Sequence, residues 1–260
     1  MKPAAAFPFH DSAGLVLQQM PAITPMLKTL FERVFVCASA VTRQYQSERL
    51  AWLKSQSFYK LIELDEGQTV GEDIMTLYAR TAAACAPQQI VHLCFPDRVA
   101  YALQSEHRAA FKADMRSLQV SETPIIFQRS DRAWRTHPQN YYALEQMATQ
   151  VGELLFGRSL DFAWCHVALQ ARDLQQIAIP KPCHNFSFFA GIILALRDKI
   201  YTRAVDWLAW EDPFILSRDA DALRKEREQS RSESRKRLSY VVPMLRLLYE
   251  AYAERDQVDD

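Results

Sequence analysis

Glycine is scarce in this chain, with six in 260 residues, at positions 14, 67, 71, 152, 157 and 191. None of them builds G-x-G-x-x-G or G-x-x-x-x-G-K-[ST]. Those patterns let a backbone approach a pyrophosphate closely at the start of a helix, so dinucleotide-fingerprint enzymes and P-loop NTPases are excluded. G-x-S-x-G is missing as well, which removes the nucleophile elbow of an α/β-hydrolase. There is no C-x-x-C. The five cysteines, Cys37, Cys85, Cys94, Cys165 and Cys183, are odd in number, and several sit in apolar runs. They read as reduced core residues of a cytoplasmic protein. The longest apolar run, Phe186 to Leu196, is too short to span a bilayer and reads as core. Pro3, Pro8, His10 and Asp11 interrupt the first apolar stretch, so no secretory signal is expected. An excess of either charge is also lacking: 31 basic and 31 acidic residues leave a net charge of +0. Such a chain does not point to nucleic acid or an acidic membrane as its main partner.

What is present is ordinary for a globular protein with a large core: 49% hydrophobic and 24% charged residues. The length suits one α/β domain with a helical tail. AAAFPF (4–9) reads as a buried strand ending at His10-Asp11. A short helix over 23–30, with Pro25 near its start, leads to a second strand at 33–40. Thr42 is placed to cap a helix over 43–54. YKLIELD (59–65) is a third strand, 71–84 a helix, and QIVHLCF (89–95) a fourth strand. Val99, Leu103, Phe111, Met115 and Leu118 then follow one helical face. TPIIFQR contains a fifth strand, and the stripe Leu144, Met147, Ala148, Val151, Leu154 and Leu155 makes a helix closed by Gly157. LDFAWCHVAL (160–169) fits strand or helix, 188–199 reads as a buried helix, and YTRAVDWLAW (201–210) as a strand. Alternating strands and helices predict a mostly parallel, layered sheet.

Composition shifts after Pro213, so the chain divides into an α/β domain over 1–212 and a charged helical extension over 213–260. Asp221/Lys225 and Glu233/Arg237 stand four apart, as on an exposed helix, and a second helix is expected from Pro243. The acids interleaved over 218–237 favour a solvated helix over a nucleic-acid footprint. Leu238, Val241, Leu245 and Leu248 need a partner, either the domain or a second copy of the chain.

The most informative stretch is YARTAAACAPQQIVHLCFPDR (78–98). A small-residue helix carries Arg80, and the strand after it ends at Asp97. Ligands of open α/β sheets bind beyond the carboxyl ends of strands, where an arginine and an acid suit a diphosphate and its metal. This order of elements, over roughly residues 4–212, resembles the GT-A fold of nucleotide-diphospho-sugar glycosyltransferases, a Rossmann-like mostly parallel sheet flanked by helices. In that fold a helix with an arginine precedes a strand ending in Asp-x-Asp. The resemblance implies that Arg80 faces the nucleotide or its phosphates. It makes Asp97 the second acid of a motif that holds Mg²⁺ or Mn²⁺ against the diphosphate. The chain departs from the pattern at Phe95, which stands where the first Asp belongs. Read without the resemblance, Asp97 caps the helix that starts there.

The resemblance also implies that His10 and Asp11 contact base and ribose, where the bland alternative for Asp11 is a turn acid. Thr42 and Asp65 end the next strands on the same edge and either contact the ligand or simply cap and turn. QRSDRAWRTHP (128–138) gathers Arg129, Arg132, Arg135 and His137 beside Trp134. Guanidinium groups pair with phosphate and Trp stacks on sugar or base; the alternative is a solvated loop with a Trp anchor. Asp161, and Asp212 of Glu211-Asp212, are the candidate bases for an acceptor hydroxyl. Many relatives open the helix corresponding to FFAGIILAL with an acid; here Asn185 and Gly191 occur and no acid does.

Cys165-His166 and Cys183-His184 do not make a zinc site at sequence level, because adjacent strand residues point to opposite faces. His92 and His107 have no ligand-spaced neighbour. The expectation is therefore a cytoplasmic sugar transferase that uses a nucleotide-diphosphate sugar, a divalent metal and an unnamed acceptor. Phe95 and Gly191 keep open a non-catalytic nucleotide-sugar-binding or scaffold protein on the same fold.

Overall fold

A computed structural model describes residues 1–164, 166–177 and 186–256. The strands are β1 (Ala4–Phe9), β2 (Val34–Ala38), β3 (Tyr59–Leu61), β4 (Ile90–Cys94), β5 (Ile125–Arg129), β6 (His166–Gln170) and β7 (Tyr201–Val205). They form one sheet in the order β3-β2-β1-β4-β6-β5-β7. β6, from the stretch that fitted strand or helix, runs antiparallel to both β4 and β5, and the remaining pairs are parallel. β1, β2, β4 and β6 are buried along their whole length, as near-continuous apolar runs must be when helices cover both faces of a sheet.

The helices are α1 (Met20–Leu30), α2 (Ala40–Tyr45), α3 (Ser47–Ser55), α4 (Val70–Ala84), α5 (Pro96–Gln104), α6 (Arg108–Ser117), α7 (Asp131–Trp134), α8 (Gln139–Phe156), α9 (Ala171–Gln176), α10 (Ser187–Leu196), α11 (Asp212–Ile215), α12 (Ala220–Gln229) and α13 (Arg231–Asp256). On one face of the sheet, Phe7, Cys94 and Phe127 pack with Ile23, Leu27, Leu103, Phe111 and Trp207. On the other, Ala6, Leu93 and Ile126 pack with Leu77, Tyr78, Ala148, Phe188, Ile192, Val241 and Leu248. The sheet is therefore sandwiched in the GT-A-like manner that the element order suggested. The extension joins the second layer, because α13 lies along α8 and α10 and buries Val241, Met244 and Leu248.

Several local expectations change. The third strand stops at Leu61, and the strand expected over 201–210 stops at Val205 and continues as a 3-10 turn, Asp206–Leu208. The helix expected over 43–54 is two helices meeting at Gln46, and Ser39, not Thr42, accepts the capping N–H. The helical stretch after Asp97 breaks at Ser105. Pro25 lies inside α1, which opens at Met20 with Pro21 in its first turn. Pro243 likewise lies inside α13, so no new helix starts there. Within 218–237, Lys225 and Asp221 are not paired; Asp221 meets Arg224, Arg218 meets Glu226, and Arg237 reaches across to Glu145. Gly157 ends α8 as expected, at φ 64°, the left-handed cap that glycine adopts without strain. Thr69 and Glu72, which the sequence reading did not single out, form a reciprocal capping box at the start of α4.

Candidate functional site

β1 pairs with β2 on one side and β4 on the other, so the chain reverses its direction of travel across the sheet between them. A crevice opens beyond the carboxyl ends of the strands at such a switch point. Here it is a cleft of two adjoining cavities. The first, of 310 Å³, is walled by Pro8, Phe9, Ser39, Asp73 and Ile74. The second, of 430 Å³, is walled by Arg98, Glu211, Asp212, Arg227, Lys236 and Arg237 among others. His10, Asp11, Val16, Phe95, Asp97, Phe186 and Tyr240 border both.

The tip of β1 is held rigidly. Asp11 Oδ1 accepts the Leu15 N–H at 2.9 Å, and Oδ2 accepts those of Val16 and Leu17 at 2.9 and 2.8 Å. The Asp11 N–H donates to Thr42 Oγ1 at 2.7 Å. Asp11 thus borders the cleft while its carboxylate organises the following turn, as the turn-acid alternative required. Thr42 is fully buried beneath this tip and does not reach the cleft surface, which corrects its reading as a contact residue. His10 is exposed, with Nδ1 3.1 Å from Ser39 Oγ.

Asp97 stands in the first turn of α5, and its Oδ1 accepts the Arg98 N–H at 2.8 Å. Burial pushes its carboxyl above the usual range; Arg98 pulls it down, and the Asp212 carboxylate pushes it up again. Glu211 is buried and ion-paired with Arg98, whose guanidinium also donates to the Ala209 carbonyl at 3.4 Å. Burial raises Glu211 to about 8, against the pull of Arg98, and Asp212 and Asp97 add to the rise. Asp212 begins α11 and lies 3.9 Å from Arg227. Asp97 and Glu211 therefore share one arginine, Arg98, while Asp212 stands between them and Arg227.

The extension forms the opposite wall. Arg237 of α13 is 2.9 Å from Glu145 and lies over the Tyr141 ring at 3.8 Å. The Tyr141 hydroxyl donates to Glu233 at 2.7 Å, and Tyr240 meets Phe186 edge-on at 4.3 Å. Phe95 joins this aromatic wall through Phe186 and Phe189.

Other expected site residues lie elsewhere. Arg129 borders the second cavity but is committed: Nε and Nη2 bind Asp161 at 2.8 and 2.6 Å, Nη1 binds Glu145 at 2.6 Å, and the guanidinium covers the Trp134 ring at 3.5 Å. Asp161 is buried and also accepts the Ala163 N–H at 3.2 Å. Its lone pairs are consumed in this network, so it is corrected from candidate base to structural partner. Trp134 packs on Arg129 and does not border either cavity. Arg132 and Arg135 are exposed, Arg132 reaching only Asp206 at 3.4 Å, and neither borders the cleft. His137 is buried, with Nε2 3.2 Å from the Leu208 carbonyl. Asp65 is exposed in the loop after β3, also away from the cleft. Arg80 is exposed on α4, seven residues beyond Asp73 and roughly 10 Å further along the helix. The start of α4 faces the cleft and its end, with Arg80, points to the opposite edge of the sheet. Cys165, Cys183, His184 and Asn185 lie outside the described residues.

Sequence reasoning passed over Asp73, Arg98, Lys236 and Tyr240. Asp73 had a signal, since the capping box marks the first turn of α4 and that turn sits at the carboxyl edge. Arg98 follows Asp97 directly. Lys236 and Tyr240 had none, because only tertiary docking brings α13 to the cleft.

No family model matches the sequence, and no curated protein does. Among solved structures the chain is similar to a mycobacterial protein at 15% identity and a TM-score of 0.50, over 80% of this chain and 66% of that one. It is also similar to glucosyl-3-phosphoglycerate synthase from Mycobacterium tuberculosis, in complex with Mn²⁺, UDP and glucosyl-3-phosphoglycerate, at 13% identity and a TM-score of 0.46, over 77% of this chain and 68% of that one. A mannosyltransferase from Pyrobaculum calidifontis in complex with GDP-Man and Mn²⁺ follows at 13% identity and 0.42, over 88% and 62%. These likenesses concern the fold alone. Among the described residues no helix is long and apolar enough to cross a membrane.

Proposed function

We propose that the cleft binds a nucleoside-diphosphate sugar and that the protein transfers the sugar to an acceptor. The observation that carries this reading is the position of Asp97. It stands in the first turn of α5, three residues after β4 ends at the switch point, and borders both cavities. In this reading the nucleoside occupies the first cavity, between the β1 and β2 tips and the start of α4. The diphosphate lies beside Asp97, and sugar and acceptor meet in the second.

A divalent cation fits the acids better than their bare proximity does. The Asp212 carboxylate raises the cost of ionising Asp97, and a cation between Asp97 and a diphosphate would relieve it. They are too few to cage a metal alone, which suits Mg²⁺ or Mn²⁺ taking phosphate and water as its other ligands. Asp97 would hold it, with Asp212 beside it, and the charge it supplies would offset that of the departing diphosphate. Arg98 keeps Asp97 and Glu211 in place from below. Asp212 is the remaining candidate to accept the acceptor's hydroxyl proton, since Asp161 is consumed by Arg129. Phe186 and Tyr240 screen the reacting centre from water.

Turnover of a panel of UDP- and GDP-sugars, followed by release of the nucleoside diphosphate, tests this reading. Asp212→Asn should lower kcat by about 10²–10⁴-fold while the sugar nucleotide still binds. Equal turnover in wild type and Asp212→Asn would remove it as the base. A second reading, a nucleotide-sugar-binding protein without turnover, is favoured by Phe95, whose ring fills the place of an acid with an apolar wall. Binding with no turnover of any donor would select it.

A further inference from the structure

Three potential ligands stand together under the cleft, in the layer between the sheet and α1, α5 and α6. His92 and Cys94 are two apart on β4 and share one face. Cys94 pairs with His166 across the antiparallel β4–β6 ladder, and His166 pairs with Phe127 beyond it. His92 lies between Ala5 on β1 and Ala168 on β6, whose small side chains leave its ring room to lean toward His166. His92 Nε2 and His166 Nδ1 face one another at 3.0 Å, and one ligand atom from each of the three residues falls within 4.8 Å of the others. All three are completely buried. Their surroundings are aromatic, with Phe31 stacked on His92, and Phe127 and Trp207 edge-on to the two rings.

We propose that His92, Cys94 and His166 form a buried site for one d¹⁰ cation, Zn²⁺ or Cu⁺, which clamps β4 to β6 below Asp97. An imidazole-imidazole-thiolate set without carboxylate is soft to borderline, and disfavours Mg²⁺, Mn²⁺ and Ca²⁺. The site is therefore chemically separate from the acids of the cleft and does not depend on the transferase reading. Burial keeps both rings neutral, His92 being lowered to about 3 and His166 well below its ordinary value, so their lone pairs are available to a metal. Burial also holds Cys94 as a thiol, which donates to the His92 carbonyl at 3.4 Å. Binding then balances with the loss of one proton: the thiol becomes a metal-bound thiolate and the imidazoles release none. Enclosure makes exchange through the native fold slow, so the cation enters as the chain folds.

The test refolds the full chain with Zn²⁺, with Cu⁺ under reductant, or with Co²⁺ as a spectroscopic probe, and counts metal retained after gel filtration. The expected result is one equivalent retained, with a thiolate-to-cobalt charge-transfer band and a raised Tm. Proton release followed during refolding should be greater by one per chain with Zn²⁺ than without it. Cys94→Ala and His166→Ala should each lose the metal and the band, while Asp97→Ala keeps both. Because either core variant could fail to fold, the wild-type cobalt spectrum stands as an independent arm. No retained metal and no thiolate band in wild type would overturn the site, as would full retention in both folded variants, which would assign the metal to other residues. Which of Zn²⁺ and Cu⁺ survives competition identifies the cation.

Discussion

Arg129 is where residue-scale physics overrides residue-scale chemistry. A guanidinium beside Trp134 looks equipped for phosphate, but inside the fold it neutralises Asp161 and Glu145 at hydrogen-bonding distance. Removing one member of a buried ionic network leaves its partners charged and unpaired, at a cost of about 3–5 kcal/mol. Arg129→Leu should therefore lower the unfolding free energy in urea by about that amount. A loss below about 1 kcal/mol, with nucleotide binding abolished, would return Arg129 to a phosphate-binding role. Asp97 is the opposite case. Its carboxylate accepts the Arg98 N–H in the first turn of α5, as the capping alternative required, and it also borders both cavities. Arg80 and Asp65 failed for a geometric reason. Their residue types suited the chemistry, but each lies beyond reach of the cleft.

At the scale of elements, the strand pattern was the most legible part. AAAFPF, VFVCA and IVHLC are apolar runs with no polar face, and each is a fully buried strand. The stretch 160–169 fitted strand or helix because a short apolar run carries no period to decide between them; only His166–Gln170 is strand, and its antiparallel pairing follows from long-range packing. The prolines misled in one way, since Pro25 and Pro243 lie inside helices where propensity places a start. A helix returning between parallel strands begins at the carboxyl edge of the sheet, which is why α4 offers Asp73 to the cleft and not Arg80. Its capping box fixes that start, so Thr69→Ala should cost about 1 kcal/mol in urea unfolding. A neutral result would show that packing alone sets the start of α4. In α8, a Cβ on Gly152 would lie 2.0 Å from the buried Phe162 ring. Gly152→Ala should destabilise by about 1–3 kcal/mol despite the better helix propensity of alanine; a gain in stability would mean that the ring moves freely.

For the whole molecule, the extension is the largest feature the sequence could not place. Its charge pattern suggested a solvated helix, yet α13 buries Val241, Met244 and Leu248 on the domain and lends Arg237 and Tyr240 to the cleft. Buried titratable groups then set the response of the fold to acid. His92, His137 and His166 are all depressed, chiefly by burial. Below their ordinary value of 6.5 the unfolded chain takes up protons that the native chain refuses, so stability is present above that pH and lost as it falls. Between pH 6.5 and 5 each histidine should remove about 2 kcal/mol. Glu211 has the opposite sign, its raised value favouring the fold at low pH and losing that contribution as pH rises toward 8. Asp73 and Asp97, also raised by burial, share the sign of Glu211. The expected result is that the three histidines outweigh these acids and urea midpoints fall from pH 7 to pH 5; an unchanged midpoint would mean that the histidines do not dominate the acid response.

If Asp97, in the first turn of α5, organises a metal-assisted diphosphate site shared by the two cavities, nucleotide binding depends on both the metal and that carboxylate. Calorimetric titration of UDP and GDP, with and without Mn²⁺, on wild type and Asp97→Ala reads both dependences at once. One of the two nucleotides should bind, more strongly with Mn²⁺, and that dependence should be lost in the variant. Absence of binding under every condition, or Mn²⁺-dependent binding that persists unchanged in Asp97→Ala, would contradict that role of Asp97.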